Sequence, residues 1–142
     1  MLQRVLEATL RQTMSRLIRP WLHPAIPVPL QRSLVAQAYR SSVPPRGCRF
    51  STVSVGGIPA LRSECGTAGP GLVLYFHGGG YIIGSARTHR GVTGHLAKAC
   101  GRAIIAPDYR LAPEHPYPAA LDDAEAAYEA LLRDGHTPNS IT

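Results

Sequence analysis

The sequence predicts an α/β fold, a mostly parallel sheet flanked by helices and preceded by a helical N-terminal segment. Three observations carry this. Residues 72–76 form a continuous apolar run, as a strand buried on both faces requires. Residues 88–100 then read as a helix closed by Gly101, and 102–106 as a further apolar strand, so strand, helix and strand alternate. Residues 119–133 are strongly helical, with Pro118 just before them, Asp122, Asp123 and Glu125 early, and Gly135 as a stop. At 142 residues and 44% hydrophobic, the chain has the material for one ordinary core.

From the N-terminus, apolar or small groups recur at helical spacing over 2–18, with Arg4, Glu7, Arg11 and Arg16 mostly between them, which predicts an amphipathic helix. Pro20, Pro24, Pro27 and Pro29 end it, and 30–39 form a second short helix before Pro44-Pro45. Residues 48–55 alternate apolar and polar, Gly56-Gly57 is a tight turn, and 58–62 return, which makes a β-hairpin. The loop 66–71 leads into the strand 72–76. Ser140-Ile141-Thr142 reads as the start of another strand. The chain thus divides into a helical segment, read as a lid or packing helix, with a Pro-rich connector at 1–45 and an α/β unit at 46–142.

The net charge of +6 is confined to one end: residues 1–50 hold eight Arg and one Glu, whereas 51–142 hold seven basic and eight acidic residues. All basic residues but Lys98 are Arg, in every segment, which speaks against a dedicated phosphate-binding face and so against nucleic acid. The Arg-rich, acid-poor start resembles a mitochondrial transit peptide, but a surface helix with a solvated basic side is favoured. No stretch reaches the ~18–20 apolar residues of a membrane span, so stable membrane insertion is not expected. Cys48, Cys65 and Cys100 are odd in number and lack C-x-x-C spacing, so neither a disulfide framework nor a metal site is expected, and a cytoplasmic location is the default.

Chemistry concentrates in two motifs. His77-Gly78-Gly79-Gly80-Tyr81 leaves the apolar strand at the sheet's carboxyl end, where open α/β folds place ligands. A glycine loop there suits the presentation of backbone N–H groups to an oxygen that gains negative charge. Gly79 and Gly80 are the expected donors, Gly78 the turn residue that lets them converge, and His77 a structural residue that holds the loop. The rival is a dinucleotide site built on Gly78, Gly80 and Gly84, with Asp108 on a ribose. The second motif, running from Asp108-Tyr109-Arg110-Leu111-Ala112-Pro113-Glu114 through His115-Pro116-Tyr117-Pro118-Ala119-Ala120, counts against it. Its prolines and opposed charges describe an ordered crossover, and a ribose needs only the acid.

Together the two motifs, in this order, resemble the hormone-sensitive lipase family, the bacterial family IV esterases of the α/β-hydrolase fold. The resemblance covers roughly residues 48–142. It implies a helical cap over the acyl pocket, which residues 1–40 fit, and a Ser-His-Asp triad that hydrolyses small-molecule carboxylic esters without a cofactor. It places two oxyanion donors on Gly79 and Gly80 and Tyr81 near the pocket mouth. Asp108, Tyr109, Arg110, Pro113, Glu114 and Pro116 become structural: Arg110 and Glu114 paired or bonded to backbone, Pro113 or Pro116 fixing the turn, with a cis bond as one means.

The family pattern continues into a Gly-x-Ser-x-Gly elbow, and residues 1–142 contain none; Ser85 follows Gly84 but lacks the second glycine. In this fold the acid and the His follow the Ser, so Asp108, Asp122, Asp123, His115 and His136 are not triad members. The expectation is an amino-terminal half of an esterase, inactive by itself and able to pair with a C-terminal half. The alternative is a non-catalytic ligand-binding or partner-dependent module of the same fold.

Overall fold

The computed structural model describes residues 19–39 and 42–142 and, before them, Glu7, Thr9, 11–13 and 15–16. The helix expected over 2–18 therefore lies largely outside the described residues. A short 3-10 turn, Arg19–Leu22, precedes helix α1, Val28–Tyr39, which starts two residues earlier than expected because Pro29 is tolerated in a first helical turn. Gln31, buried, ties the preceding turn to α1 by donating to the carbonyls of His23 and Ile26.

The sheet has four strands: β1 Cys48–Val55, β2 Ile58–Cys65, β3 Leu72–Leu74 and β4 Ala103–Pro107, in the order β1-β2-β4-β3. It is mixed. β1 and β2 form the antiparallel hairpin, β2 pairs antiparallel with β4, and β4 runs parallel to β3. On the other side of β3, Ile141 forms a parallel bridge with Leu72, in keeping with the strand expected to begin at Ser140. The strand buried along its whole length is β4 rather than β3.

Helix α2, Arg90–Cys100, and helix α3, Ala119–Arg133, follow β3 and β4. Alternation along β4 distributes the core. Ala103 and Ile105 join Val55, Ile58 and Ala60 of the hairpin and Ala127, Ala130 and Leu131 of α3 in one apolar cluster. Ser63, paired in register with Ile104, bonds Thr93 of α2 at 2.9 Å, and all three side chains are fully buried. A buried hydroxyl pair of this kind is satisfied internally, so it costs nothing in unpaired polar groups.

The hairpin corrects one expectation. β2 extends to Cys65, three residues beyond the predicted return, and its register sets Cys48 opposite Cys65, where the two sulfurs are joined. Cys100 is the free, exposed cysteine. An odd cysteine count concealed a cross-strand pair because the partnership depends on strand length, which alternation alone left short.

Two ion pairs fasten the crossover after β4. Arg110 reaches the Asp123 carboxylate of α3 through Nε (2.9 Å) and Nη2 (2.7 Å), and its backbone N–H donates to the same group at 2.8 Å. Burial pushes the Asp123 carboxyl up, but these bonds outweigh it and hold the group below its usual range. Glu114 is gripped by both Nη atoms of Arg32 on α1, at 2.7 and 2.8 Å, and this bonding pushes its pKa down to about 2. Arg110 and Glu114 are thus both paired, but with partners on different helices. The peptide bonds before Pro113 and Pro118 are cis; of the two prolines proposed for the turn, Pro113 and not Pro116 has this geometry.

Two predictions follow from this packing. Gly56 and Gly57 both have positive φ, but a Cβ on Gly56 would lie 2.5 Å from the Ala126 carbonyl oxygen of α3, whereas one on Gly57 meets nothing within 4 Å. Gly57→Ala should cost about 1–2 kcal/mol in chemical denaturation and Gly56→Ala clearly more; equal costs would contradict this approach of turn and helix. Because the Glu114 pKa is depressed from 4.5 to about 2, its stabilising contribution is complete above the higher value and disappears as pH falls through the lower one. The stability difference between the wild type and Glu114→Gln, measured across that range, should shrink to zero at its acid end.

Candidate active site

Parallel pairing brings the ends of β3 and β4 to the same edge of the sheet. The last ladder bond, Tyr75 N–H to the Ile105 carbonyl at 2.8 Å, is followed on one chain by His77 and the glycines and on the other by Asp108 and Tyr109. There the two motifs meet. His77 is 3% exposed, its ring stacked on Tyr109 at 4.3 Å and beside His89 at 5.4 Å. The Tyr109 hydroxyl donates to the His77 carbonyl at 2.5 Å, and His77 Nδ1 lies 3.1 Å from the Gly78 carbonyl oxygen. Burial pushes the His77 pKa down, favouring the neutral ring of a structural residue.

Beyond His77 the backbone turns sharply. The N–H groups of Ile82 and Ile83 both donate to the Gly79 carbonyl at 3.1 Å, and Gly79, Gly80 and Tyr81 have φ of 138°, 61° and 61°. The left-handed turn therefore falls on Gly79 to Tyr81 and not on Gly78, whose φ is not positive. A Cβ on Gly79 would collide with the Ile83 carbonyl, so this position is closed to any other residue without movement of the loop. The N–H groups of Gly79 and Gly80 have no acceptor among the described residues; that of Gly80 is opposed in its peptide plane to the Gly79 carbonyl, which faces back into the turn.

Both glycines line an open cleft of about 740 Å³, with Phe76, Tyr81, Ile82, Tyr109, Tyr117 and Leu121 supplying much of its wall. No Asp, Glu, Lys or Arg lines it among the described residues; His115 and His77 are the imidazoles in its lining. Tyr81, 66% exposed, stands on the open side. The residues 19–39 expected in a covering cap do not line the cleft; α1 instead packs beside the glycine loop. Apolar walls around two free donors suit a ligand that brings one acceptor oxygen and little other polarity.

The supporting residues take separate tasks. Asp108 accepts the Ala86 N–H at 2.6 Å, tying the return of the glycine loop to β4, which leaves it engaged within the fold rather than free for a ribose. The Ala112 N–H donates to the Tyr81 carbonyl at 2.8 Å, binding the second motif to the first. Asp123 is committed to Arg110. Ser85 forms a local turn with Thr88, and Gly84 packs against the His77 ring. The sequence reading missed Arg32 and His89. A lone Arg on a short helix and a His at a helix start carry no pattern that announces long-range partners. Among the described residues, no three His, Cys, Asp or Glu side chains gather as a metal site, and no helix is long and apolar enough to cross a membrane.

Known proteins share this fold. The family model for the α/β hydrolase fold matches residues 73–142. The chain is 40% identical over 111 residues to a putative acetyl-hydrolase, LipR, of Mycobacterium tuberculosis, a match that covers 78% of this chain and 36% of that protein. It is 54% identical over 64 residues to the esterase LipI of the same organism, across 45% of this chain and 20% of LipI. A crystal structure of a hormone-sensitive lipase from a metagenome library superposes with a TM-score of 0.84 at 35% identity, over 97% of this chain and 45% of that one. An esterase of the bacterial hormone-sensitive lipase family superposes at 0.82 and 35%, over 93% and 45%. The chain spans less than half the length of each of these relatives. With its sheet order, glycine loop and second motif all in place, the chain carries part of the α/β-hydrolase fold and is similar over nearly all of its length to esterases of the hormone-sensitive lipase family.

Proposed function

We infer that the chain provides the oxyanion-presenting loop and the N-terminal helical segment of a serine-type carboxylic ester hydrolase. The observation that carries this reading is the pair of unpartnered N–H groups of Gly79 and Gly80 at an apolar cleft. When a nucleophile adds to an ester carbonyl, the carbonyl oxygen gains negative charge. Fixed donors pointing at that oxygen stabilise the charge without reorganising, and loss of one typically costs about 2.7–4 kcal/mol of barrier. The low polarity of the surrounding walls strengthens each bond. His77, neutral and stacked, holds the loop, and Tyr81 stands where the substrate enters.

The nucleophile, the triad acid and base, and the third donor, which is the N–H following the nucleophile, are not among residues 1–142. In this reading they belong to polypeptide that pairs beside β3, along the edge where Leu74 N–H donates to the Thr142 carbonyl and Thr142 N–H to the Leu72 carbonyl, at 3.0 and 3.1 Å. The two proposed units, 1–45 and 46–142, then act as cap segment and catalytic front half. Small uncharged carboxylic esters fit a cleft without charged walls, and the acetyl-hydrolase and esterase names of the relatives support that class.

Residues 1–142 alone should hydrolyse p-nitrophenyl acetate or butyrate no faster than a buffer blank. Turnover that survives purification and disappears in a Gly79 variant would sink the inactivity. A chimaera that joins residues 1–142 to the part of LipR beyond the matched segment should restore hydrolysis. In that chimaera, replacing the Gly80 N–H by an ester oxygen, through incorporation of glycolic acid, should lower kcat by about 10²–10³ and change KM little. An unchanged kcat would remove Gly80 from the oxyanion site. A chimaera that binds esters without cleaving them would favour a ligand-binding role instead.

A further inference from the structure

Arg32 stands outside both motifs, yet it touches both. Its Nε donates to the Ile82 carbonyl at 2.8 Å, within the turn that closes on Gly79. One Nη donates to the Ala112 carbonyl at 2.9 Å, and both Nη atoms hold the Glu114 carboxylate. A single side chain on α1 thereby reaches two distant segments, at Ile82, 50 residues away, and at Ala112 and Glu114, 80 and 82 residues away.

The contact is not an ordinary surface ion pair. Exposed pairs of two flexible side chains contribute little, because screening and side-chain entropy offset their attraction. Here the guanidinium fork is occupied on both its Nε and Nη sides, and the bonds to Ile82 and Ala112 fall on backbone whose position sets the loop. Ala112 in turn donates to the Tyr81 carbonyl, so the bonds form a closed circuit: Arg32, Ile82, the turn, Tyr81, Ala112 and back to Arg32. Lysine has one point charge and cannot reproduce this planar set of donors.

We propose that Arg32 is the positioning residue of the glycine loop, coupling the docking of the N-terminal helix to the order of the Gly79 and Gly80 donors. The coupling itself stands on the hydrogen-bond circuit; its consequence for ester hydrolysis rests on the reading of those glycines as oxyanion donors. With Arg32 in place, α1 docks, the turn 79–83 is held from outside, and both donors keep one direction. Without it, the Ile82 and Ala112 carbonyls lose their outside donor, and the turn keeps its own two bonds to Gly79 and the Ala112 bond to Tyr81, with nothing tying it to α1.

The test is hydrogen exchange read by mass spectrometry on the whole chain, comparing the wild type with Arg32→Ala, Arg32→Lys and Glu114→Gln. In Arg32→Ala, peptides covering 79–86 and 110–116 should exchange about tenfold faster or more, while the hairpin peptides over 48–65 stay as protected as in the wild type. Arg32→Lys should resemble Arg32→Ala, and Glu114→Gln, which leaves the two carbonyl bonds, should lie between it and the wild type. Millimolar ethylguanidinium should restore protection in Arg32→Ala but leave Glu114→Gln unchanged. Unchanged exchange at 79–86, loss spread equally over 48–65, or no recovery with ethylguanidinium would each overturn the proposal. These measurements contain no ester, so their failure is separate from failure of the hydrolase reading, which the chimaera decides.

Discussion

The parallel pairing of β3 with β4 is the constraint on which the cleft depends. Two parallel neighbours must release their following loops at the same edge, so the glycine loop after β3 and the proline-rich crossover after β4 emerge side by side. Had these strands run antiparallel, the two motifs would lie at opposite ends of the sheet. The Tyr109 hydroxyl on the His77 carbonyl, beneath stacked rings, is the first contact this arrangement allows. It satisfies a carbonyl that has just left the ladder, at a place where burial would otherwise leave it unpaired. His77 and Tyr109 thus work as a pair, a lining that is also a support.

A loop that offers free N–H groups must be held by everything except those groups. The structure solves this by fixing the loop through its carbonyls and its return. Gly79 accepts from Ile82 and Ile83, Tyr81 from Ala112, Ile82 from Arg32, and Ala86 donates to Asp108. Each bond occupies an acceptor near the loop, and the N–H groups of Gly79 and Gly80, at the cleft lining, are left without a partner among the described residues. Under the proposed function this rigidity would matter, since a loop that has to reorganise as charge develops returns part of the stabilisation.

The ion pairs extend this support outward. Arg110 with Asp123 joins the crossover to α3, and Arg32 with Glu114 joins it to α1. The first carboxylate is nearly buried and the second half-exposed, so the first has the higher desolvation cost and needs its extra backbone N–H to offset it. Such pairs contribute more to where the elements sit than to how tightly the protein folds. The core face shared by the hairpin, β4 and α3 carries the larger share of stability through buried apolar area.

Much of this was legible in the sequence. Local rules act over a few residues and their outcomes are local: α3 occupies 119–133 as read, α2 and β4 lie within two residues of expectation, Gly56-Gly57 forms the hairpin turn, and Ile141 begins to pair. The glycine loop and the second motif were legible because each is a continuous string. What the sequence could not disclose were partnerships between distant strings. Cys48 with Cys65 needed the full register of the hairpin, Asp123 with Arg110 needed α3 laid against the crossover, and Arg32 with Ile82, Ala112 and Glu114 needed α1 docked. The same holds for the shift of the turn from Gly78 to Gly79, where the Ile83 carbonyl and not glycine content selects the residue. By itself the sequence determined which elements form and where the two motifs fall on them, because periodicity, capping and turn propensity are properties of neighbours along the chain. The tertiary structure alone decided which groups meet and which N–H groups stay free, because those outcomes depend on how the elements pack together in space.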